Sequence, residues 1–349
     1  MATVETLNSK ALEEKLDRIV SEGSLQTVLI GGFYLDLLVR PVGTTLLKAE
    51  EWSDADPIEI QLGGSCYWLG KNLHELHGQS SFVYTMLGRS DDALTADAAR
   101  LVKQEGWILN ALPQGSISSR TAISVNLVQR SNRFSTILTY RGTLAELSWR
   151  NIKDDLVVTL KKRSVVHISG FFKTNLSSGM IAFLRPIHNR HVICFDHGGF
   201  VSQVESPPAV LAIREAYEQS IVDIYLCTLE EFQKFCEFSA APVKKRRGGS
   251  PESVIKELAS GQCLPCLTIV RGEDLPDREK VYIILKGRVI TVKLKDGLAI
   301  TKGLVFSKVK FDAAFLYSLT HNYFGESLES RATSAAHEGL MSWARSSDQ

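Results

Sequence analysis

Residues Thr27–Asp36 read TVLIGGFYLD. Thr27–Phe33 is a continuous apolar run without alternation, which marks a strand covered on both faces rather than a half-exposed one. It contains two glycines, Gly31 and Gly32, and is followed by an acid at Asp36. An acid just past the carboxyl end of a buried strand lies where open α/β sheets bind their ligands. Gly31-Gly32 lacks the G-x-G-x-x-G spacing of a dinucleotide-binding turn, which argues against a dehydrogenase. Asp36 has two readings, a ligand-binding carboxylate or a structural one.

Working outward, the same kind of strand recurs at Ser81–Leu87, Ser164–Ser169, His191–Phe195, Ile221–Leu226 and Leu267–Val270. Helical patterns lie between them, including Gly64–His77 and Ala93–Glu105, the latter with Leu94, Ala98, Leu101 and Val102 on one face. Strand–helix alternation predicts a mainly parallel sheet with helices on both sides. Three segments depart from it. Tyr34–Val42 and Pro57–Leu62 are short and extended, and Thr121–Tyr140 holds two alternating runs around Arg130–Asn132, a hairpin pattern. Together they predict a small sheet standing off the main one and covering a pocket. Its alternation leaves one apolar face, to be buried against a ligand or a second copy of the chain in a homodimer.

The chain has 349 residues, 44% hydrophobic and 23% charged, with a formal net charge of +1. This is a globular balance with no overall field directed at nucleic acid or an anionic membrane. The first residues carry Glu5, Glu13, Glu14 and Asp17, with Leu12, Leu16 and Ile19 at helical spacing, so they predict an amphipathic helix and not a signal peptide. No apolar stretch reaches the ~18 residues of a membrane span. The cysteines, scattered through apolar segments, read as thiols of a cytoplasmic protein. Cys263 and Cys266 have zinc or redox spacing but no second pair, and read as packing residues. Pro242–Ser253, with the basic run Lys244–Arg247, reads as a solvated loop; His74 and His77 read as surface residues at a helix end.

Several motifs occur in a telling order: Gly31–Asp36; Gln61-Leu62-Gly63-Gly64-Ser65; Met86-Leu87-Gly88-Arg89-Ser90-Asp91; Tyr140-Arg141-Gly142-Thr143; His167-Ile168-Ser169-Gly170; and Val309-Lys310-Phe311-Asp312. In order and spacing they resemble the ribokinase/PfkB sugar-kinase family over roughly residues 27–345. The resemblance implies a three-layer α/β/α domain at 27–345, a β lid at about 35–62 and 113–142, and a helical extension at 1–26. It also implies ATP and Mg²⁺ as cofactors and a sugar-like small molecule as ligand. By this resemblance the acceptor side comprises Asp36, Gly63, Gly64, Trp68 and Arg141. Thr228, Glu231, Arg271 and Gly272 lie on the nucleotide side, with Glu231 also toward the metal. Asp312 falls where the family keeps its catalytic base.

The departures matter as much. The family's Gly-Ala-Gly-Asp is Val309-Lys310-Phe311-Asp312 here. Glycines there let backbone amides approach a phosphate, and losing one preorganised donor costs on the order of 3–4 kcal/mol of transition-state stabilisation. Lys310 is expected to supply part of the missing positive charge, while the Phe311 ring is expected to crowd the phosphate. The family's Asn-x-x-Glu corresponds to Thr228–Glu231, and Trp68 stands where a sugar-contacting Asn is usual. Asp312 therefore reads either as a general base or as the cap of a helix beginning at Ala313. Two functions follow: an ATP-dependent kinase for a sugar or related molecule, or a catalytically impaired relative that binds a small ligand or a protein partner.

Overall fold

The computed structural model describes residues 4–22, 26–40, 55–113, 115, 119–128, 134–196, 207–239, 250–260, 263–272, 279–294, 307–321 and 326–345. The basic run Lys244–Arg247, the turn Arg130–Asn132 and the stretch after Asp196 lie outside them. Among the described residues, twelve strands form two sheets. The large one has the order β12-β11-β10-β9-β8-β7-β1-β4. Its parallel part is β4 (Ser81–Tyr84), β1 (Gln26–Gly31), β7 (Ser164–Ser169), β8 (Val192–Asp196), β9 (Ile224–Thr228) and β10 (Leu267–Arg271). These strands are buried almost throughout, as their unbroken apolar sequences require.

Alternate residues of the strands feed two cores. Leu29, Val165, Cys194, Leu226 and Ile269 pack with α1 (Val4–Ser21), α2 (Ser65–His77), α3 (Ala93–Gln104), α9 (Ser307–His321) and α10 (Leu328–Arg345). Val28, Ile30, Val166, Ile168, Phe195, Tyr225 and Val270 pack with α4 (Trp149–Thr159), α5 (Met180–Leu184), α6 (Pro207–Glu218), α7 (Leu229–Ser239) and α8 (Pro251–Ala259). This is the expected three-layer arrangement.

The structure adds two strands that periodicity did not separate from the neighbouring loops. β11 (Lys280–Leu285) runs antiparallel to β10, and β12 (Arg288–Lys293) antiparallel to β11. Lys286 and Gly287, both at positive φ, join them in a tight hairpin turn. The segment read as a loop up to Ser253 ends earlier, because Ser250 caps α8 by accepting from the Ser253 amide, with Pro251 in the first turn. α1 is part of the core rather than an appendage. Leu12, Leu16 and Ile19 are buried, and Lys15 forms a buried ion pair with Asp223 at 2.7 Å.

The small sheet has the order β3-β2-β5-β6: β3 (Glu59–Gly63), β2 (Tyr34–Val39), β5 (Ile123–Val128) and β6 (Phe134–Tyr140). Register puts Asp36 beside Gln61 and Ser124, and Leu37 beside Ile60 and Val125, itself opposite Leu138. The face carrying Tyr34, Asp36, Ser124 and Asn126 is buried. The face carrying Ile60, Leu138 and Tyr140 is 44–59% exposed at those residues. This reverses the usual rule that a sheet turns its apolar face inward. At the base of the sheet, Thr121 accepts from the Gly88 amide at 2.8 Å, and Thr143 donates to the Met86 carbonyl at 2.8 Å.

Candidate functional site

Five glycines meet where β1, β3, α2 and β7 converge. Gly31 has φ +125 and lies so close to the Ser169 carbonyl that a Cβ would come within 1.8 Å of its oxygen. Gly64 has φ +93 and opens α2, while Gly32 and Gly170 face each other across the junction. Gly63 serves another end: a Cβ there would fall 1.9 Å from a carboxylate oxygen of Asp36. Gly63 therefore makes the space in which the Asp36 carboxylate sits, linking two motifs that are distant in sequence. Ser65 donates to Ser169 at 2.9 Å, and the Cys66 thiol lies 3.1 Å from the same hydroxyl.

Asp36 is the chemical centre of this side. Burial pushes its pKa up to about 7, opposed by the nearby Lys173 ammonium and by a hydrogen bond with Asn126. Neither Lys173 nor Asn126 was picked out by sequence reasoning. The available signals were the position of Lys173 just past the glycine that ends β7, and a polar Asn126 inside an apolar strand. Lys173 also stands 5.0 Å from the centre of the Tyr34 ring. Trp68 lies half-buried on α2, edge-on to Tyr67 at 5.1 Å and 5.3 Å from the Lys71 ammonium. Arg141 is exposed at the end of the lid return, next to Gly142 at φ +47.

The raised Asp36 pKa has a measurable consequence. In the unfolded chain this carboxyl ionises near 3.8, whereas in the native protein it holds its proton to about 7. The native state binds the extra proton in between, so the group's contribution to stability is full below about pH 4 and is lost as pH rises through about 7. Asp36→Asn does not titrate. Urea unfolding of both proteins from pH 4 to 8 should show wild type losing on the order of 3 kcal/mol relative to the variant. Parallel profiles would mean that Asp36 ionises normally.

The other side of the site departs from the sequence expectations. Asp312 does not cap a helix beginning at Ala313, because α9 already starts at Ser307. The motif lies inside that helix, where the i→i−4 pattern commits the Phe311 and Asp312 amides to carbonyls one turn earlier. The Asp312 carboxylate is 2% exposed and accepts hydrogen bonds on both oxygens from Arg271, itself 0% exposed at the end of β10. Arg271, expected on the nucleotide side, is thus the ion-pair partner of the expected base. The Phe311 ring does not crowd a phosphate. It is wholly buried, stacked on Phe315 at 5.8 Å between centroids and edge-on to Trp343 at 6.4 Å. Gly339 of α10 makes room for it, since a Cβ there would come within 2.6 Å of the ring. Val309 is buried too, and Lys310 is half-buried on the same helix.

Thr228 and Glu231 form a reciprocal cap on α7. The Thr228 amide donates to the Glu231 carboxylate at 2.8 Å, and the Glu231 amide donates to the Thr228 hydroxyl at 3.1 Å. T-x-x-E is a capping-box pattern, a signal legible in the sequence and passed over there in favour of the family motif. The Gly272 amide donates to the Lys280 carbonyl at 3.1 Å. Among the described residues, no three His, Cys, Asp or Glu side chains gather as a metal-binding group. His74 is exposed, and His77 is half-buried: its ring stacks on Tyr317 at 3.7 Å, and burial lowers its pKa.

Comparison with solved structures decides the fold. The chain is similar to ribokinase from Giardia lamblia, with a TM-score of 0.69, 14% identity, and 93% of this chain and 94% of that one covered. The ribokinase-like fold is established. Adenosine kinase from Sinorhizobium meliloti has a TM-score of 0.64 at 17% identity, covering 93% and 95%. Ribokinase from Cryptococcus neoformans, in complex with ADP, has a TM-score of 0.61 at 13% identity, covering 90% and 92%. No protein-family model and no curated protein matches the sequence. No described helix is long and apolar enough to cross a membrane. In this ribokinase-like fold, the glycine junction and Asp36 lie under the small sheet at the carboxyl ends of the strands, and Asp312 lies against the end of β10. Asp312 is paired there with Arg271, and the Phe311 and Asp312 amides lie inside α9 rather than at its open end.

Proposed function

We propose that this chain is a ribokinase-fold protein that binds a small sugar-like ligand beneath its small sheet and transfers phosphate poorly or not at all. The buried Arg271–Asp312 pair carries this reading. A general base must reach the proton it removes, and a carboxylate held on both oxygens by a buried guanidinium does not. The acceptor side supports the binding half: Asp36 and Asn126 stand on a polar face that the fold keeps inside, Gly63 makes room for the Asp36 carboxylate, and Gly64 opens α2 beside it. The thiol state of all six cysteines agrees with placement in the cytoplasm.

The kinase reading draws on the neighbours, which include a ribokinase bound to ADP. It needs Arg271 to leave Asp312 when ATP and Mg²⁺ arrive, with Thr228, Glu231 and Gly272 turned to the nucleotide. Calorimetry with a panel of sugars and polyols, with and without MgATP, followed by a turnover assay, separates the two. The expected result is polyol binding without turnover. Turnover that Asp312→Asn abolishes would establish the kinase instead.

The outer face of the small sheet supports a homodimer through the lid. Ile60, Leu37, Val125 and Leu138 form one cross-strand row, flanked by Ile123 and Tyr140, around a concavity of about 650 Å³. Exposed apolar surface of this kind marks an interaction site. Sedimentation at micromolar concentration should give a dimer, and Leu138→Glu should return a folded monomer. A monomeric wild type would remove this part of the proposal.

A further inference from the structure

The Tyr34 hydroxyl is buried and has no hydrogen-bond partner. Its side chain is 4% exposed and lies on the inner face of the small sheet with Asp36, Ser124 and Asn126. Those three are joined to one another: Asp36 bonds Asn126, and Asn126 exchanges bonds with Ser124 at 3.4 Å. Tyr34 stands outside that network. Leaving a buried hydroxyl unpaired is unfavourable, and native folds supply nearly all such groups with a partner. Burial pushes the phenol pKa up, so the hydroxyl keeps its proton and can donate as well as accept. The ring is held in place. Lys173 stands 5.0 Å from its centre, and Tyr34 belongs to the same packed cluster as Ile30, Tyr84 and Met86. A tyrosine also reaches farther from its strand than an aspartate does. Tyr34 and Asp36, two residues apart on one face of one strand, therefore address different atoms of a molecule bound beneath the sheet. Lys173 acts on the Asp36 carboxyl as an opposite charge. Tyr34, Ser124 and Asn126 are neutral, so this face offers hydrogen bonds rather than a net charge.

We propose that Tyr34 sets the specificity of the pocket: its hydroxyl bonds one hydroxyl of a neutral polyol, whose other hydroxyls meet Asp36. This rests on the reading of the inner face as a small-ligand site. It assigns the class of ligand, a neutral molecule with at least two hydroxyls, and the residue that rejects an analogue lacking one of them. A site built to bond a hydroxyl discriminates against the deoxy analogue because its own group is then left unpaired.

Calorimetric titration of the full chain with ribose, ribitol, fructose and myo-inositol identifies the tightest polyol. Its singly deoxygenated analogues are then titrated into wild type and into Tyr34→Phe, which removes the hydroxyl alone. Tyr34→Phe should weaken the parent polyol about 3- to 10-fold, the worth of one neutral hydrogen bond. One deoxy analogue should lose the same factor on wild type and nothing further on the variant, because its missing hydroxyl is the one that Tyr34 bonds. The urea midpoint of the ligand-free variant should equal or exceed that of wild type, since the substitution removes a buried group that has no partner. A variant that binds the parent polyol as tightly as wild type overturns the assignment and leaves the ligand pocket standing. So does a loss shared equally by the parent and every deoxy analogue, which would place the effect in the packing of the ring. A lower urea midpoint overturns it as well, by showing that the hydroxyl serves the fold. Failure of all four polyols to bind wild type overturns the pocket and this assignment with it.

Discussion

Asp312→Asn is expected to lower folding stability by about 3–5 kcal/mol, the usual cost of leaving one member of a buried ion pair without its partner. Arg271 is 0% exposed, so once the carboxylate is neutralised its charge has no water to turn to. Arg271→Met should cost a similar amount, because it leaves the carboxylate stranded. The double variant should lose less than the sum, since both charges go together. Urea titrations of the four proteins measure this directly. A solvated catalytic base behaves differently: its replacement by Asn removes turnover and leaves stability within about 1 kcal/mol, in the range of ordinary surface changes. That outcome would sink the structural reading of the pair and return Asp312 to the role of base.

Phe311→Gly, which restores one of the family's glycines, should destabilise the protein by about 4–6 kcal/mol rather than create activity. Truncating a buried Phe to Ala costs about 3–5 kcal/mol, and Gly inside a helix adds about 1 kcal/mol more. The ring fills the contact between α9 and α10, bounded by Phe315, Trp343 and Gly339. A loss of that size takes a large share of the 5–15 kcal/mol that holds a typical domain together. Denaturant unfolding and near-UV circular dichroism of the tryptophan signal would register it. A variant as stable as wild type that gains ATP turnover would show that the ring blocks a phosphate site after all. Restoring the glycine alone leaves Arg271 on Asp312, so the geometry gives no route to such a gain.

Both results depend on how α9 is used. From Val309 to Thr320 it is buried nearly all round, covered by α1, α2 and α10. A helix enclosed in this way needs apolar residues on every side, and Val309, Phe311, Ala313 and Phe315 supply them. The substitutions that read in sequence as damage to an anion-binding turn are, in the folded protein, packing residues of a longer helix.

The sequence alone determined the architecture. The parallel strands are short apolar runs that only a sheet covered on both faces can bury, and Gly63 with Gly64 marked a close backbone approach. The extended pieces at 34–42, 57–62 and 121–140 announced a second sheet, because period-two alternation is a local property of the chain. The hairpin of β11 and β12 was missed because its apolar run merges with its neighbours and Lys286 is an uncommon residue at positive φ. The inward turn of the polar lid face was decided only by tertiary structure, since alternation sorts residues onto two faces without saying which one meets the core. So was the partnership of Arg271 with Asp312, two residues far apart in the chain. Arg271 read from sequence as a cation near a nucleotide and Asp312 as a base or a cap. Charge pairing between side chains on a strand end and a helix interior leaves no periodic trace; it appears only when the sheet and α9 close on each other and exclude water.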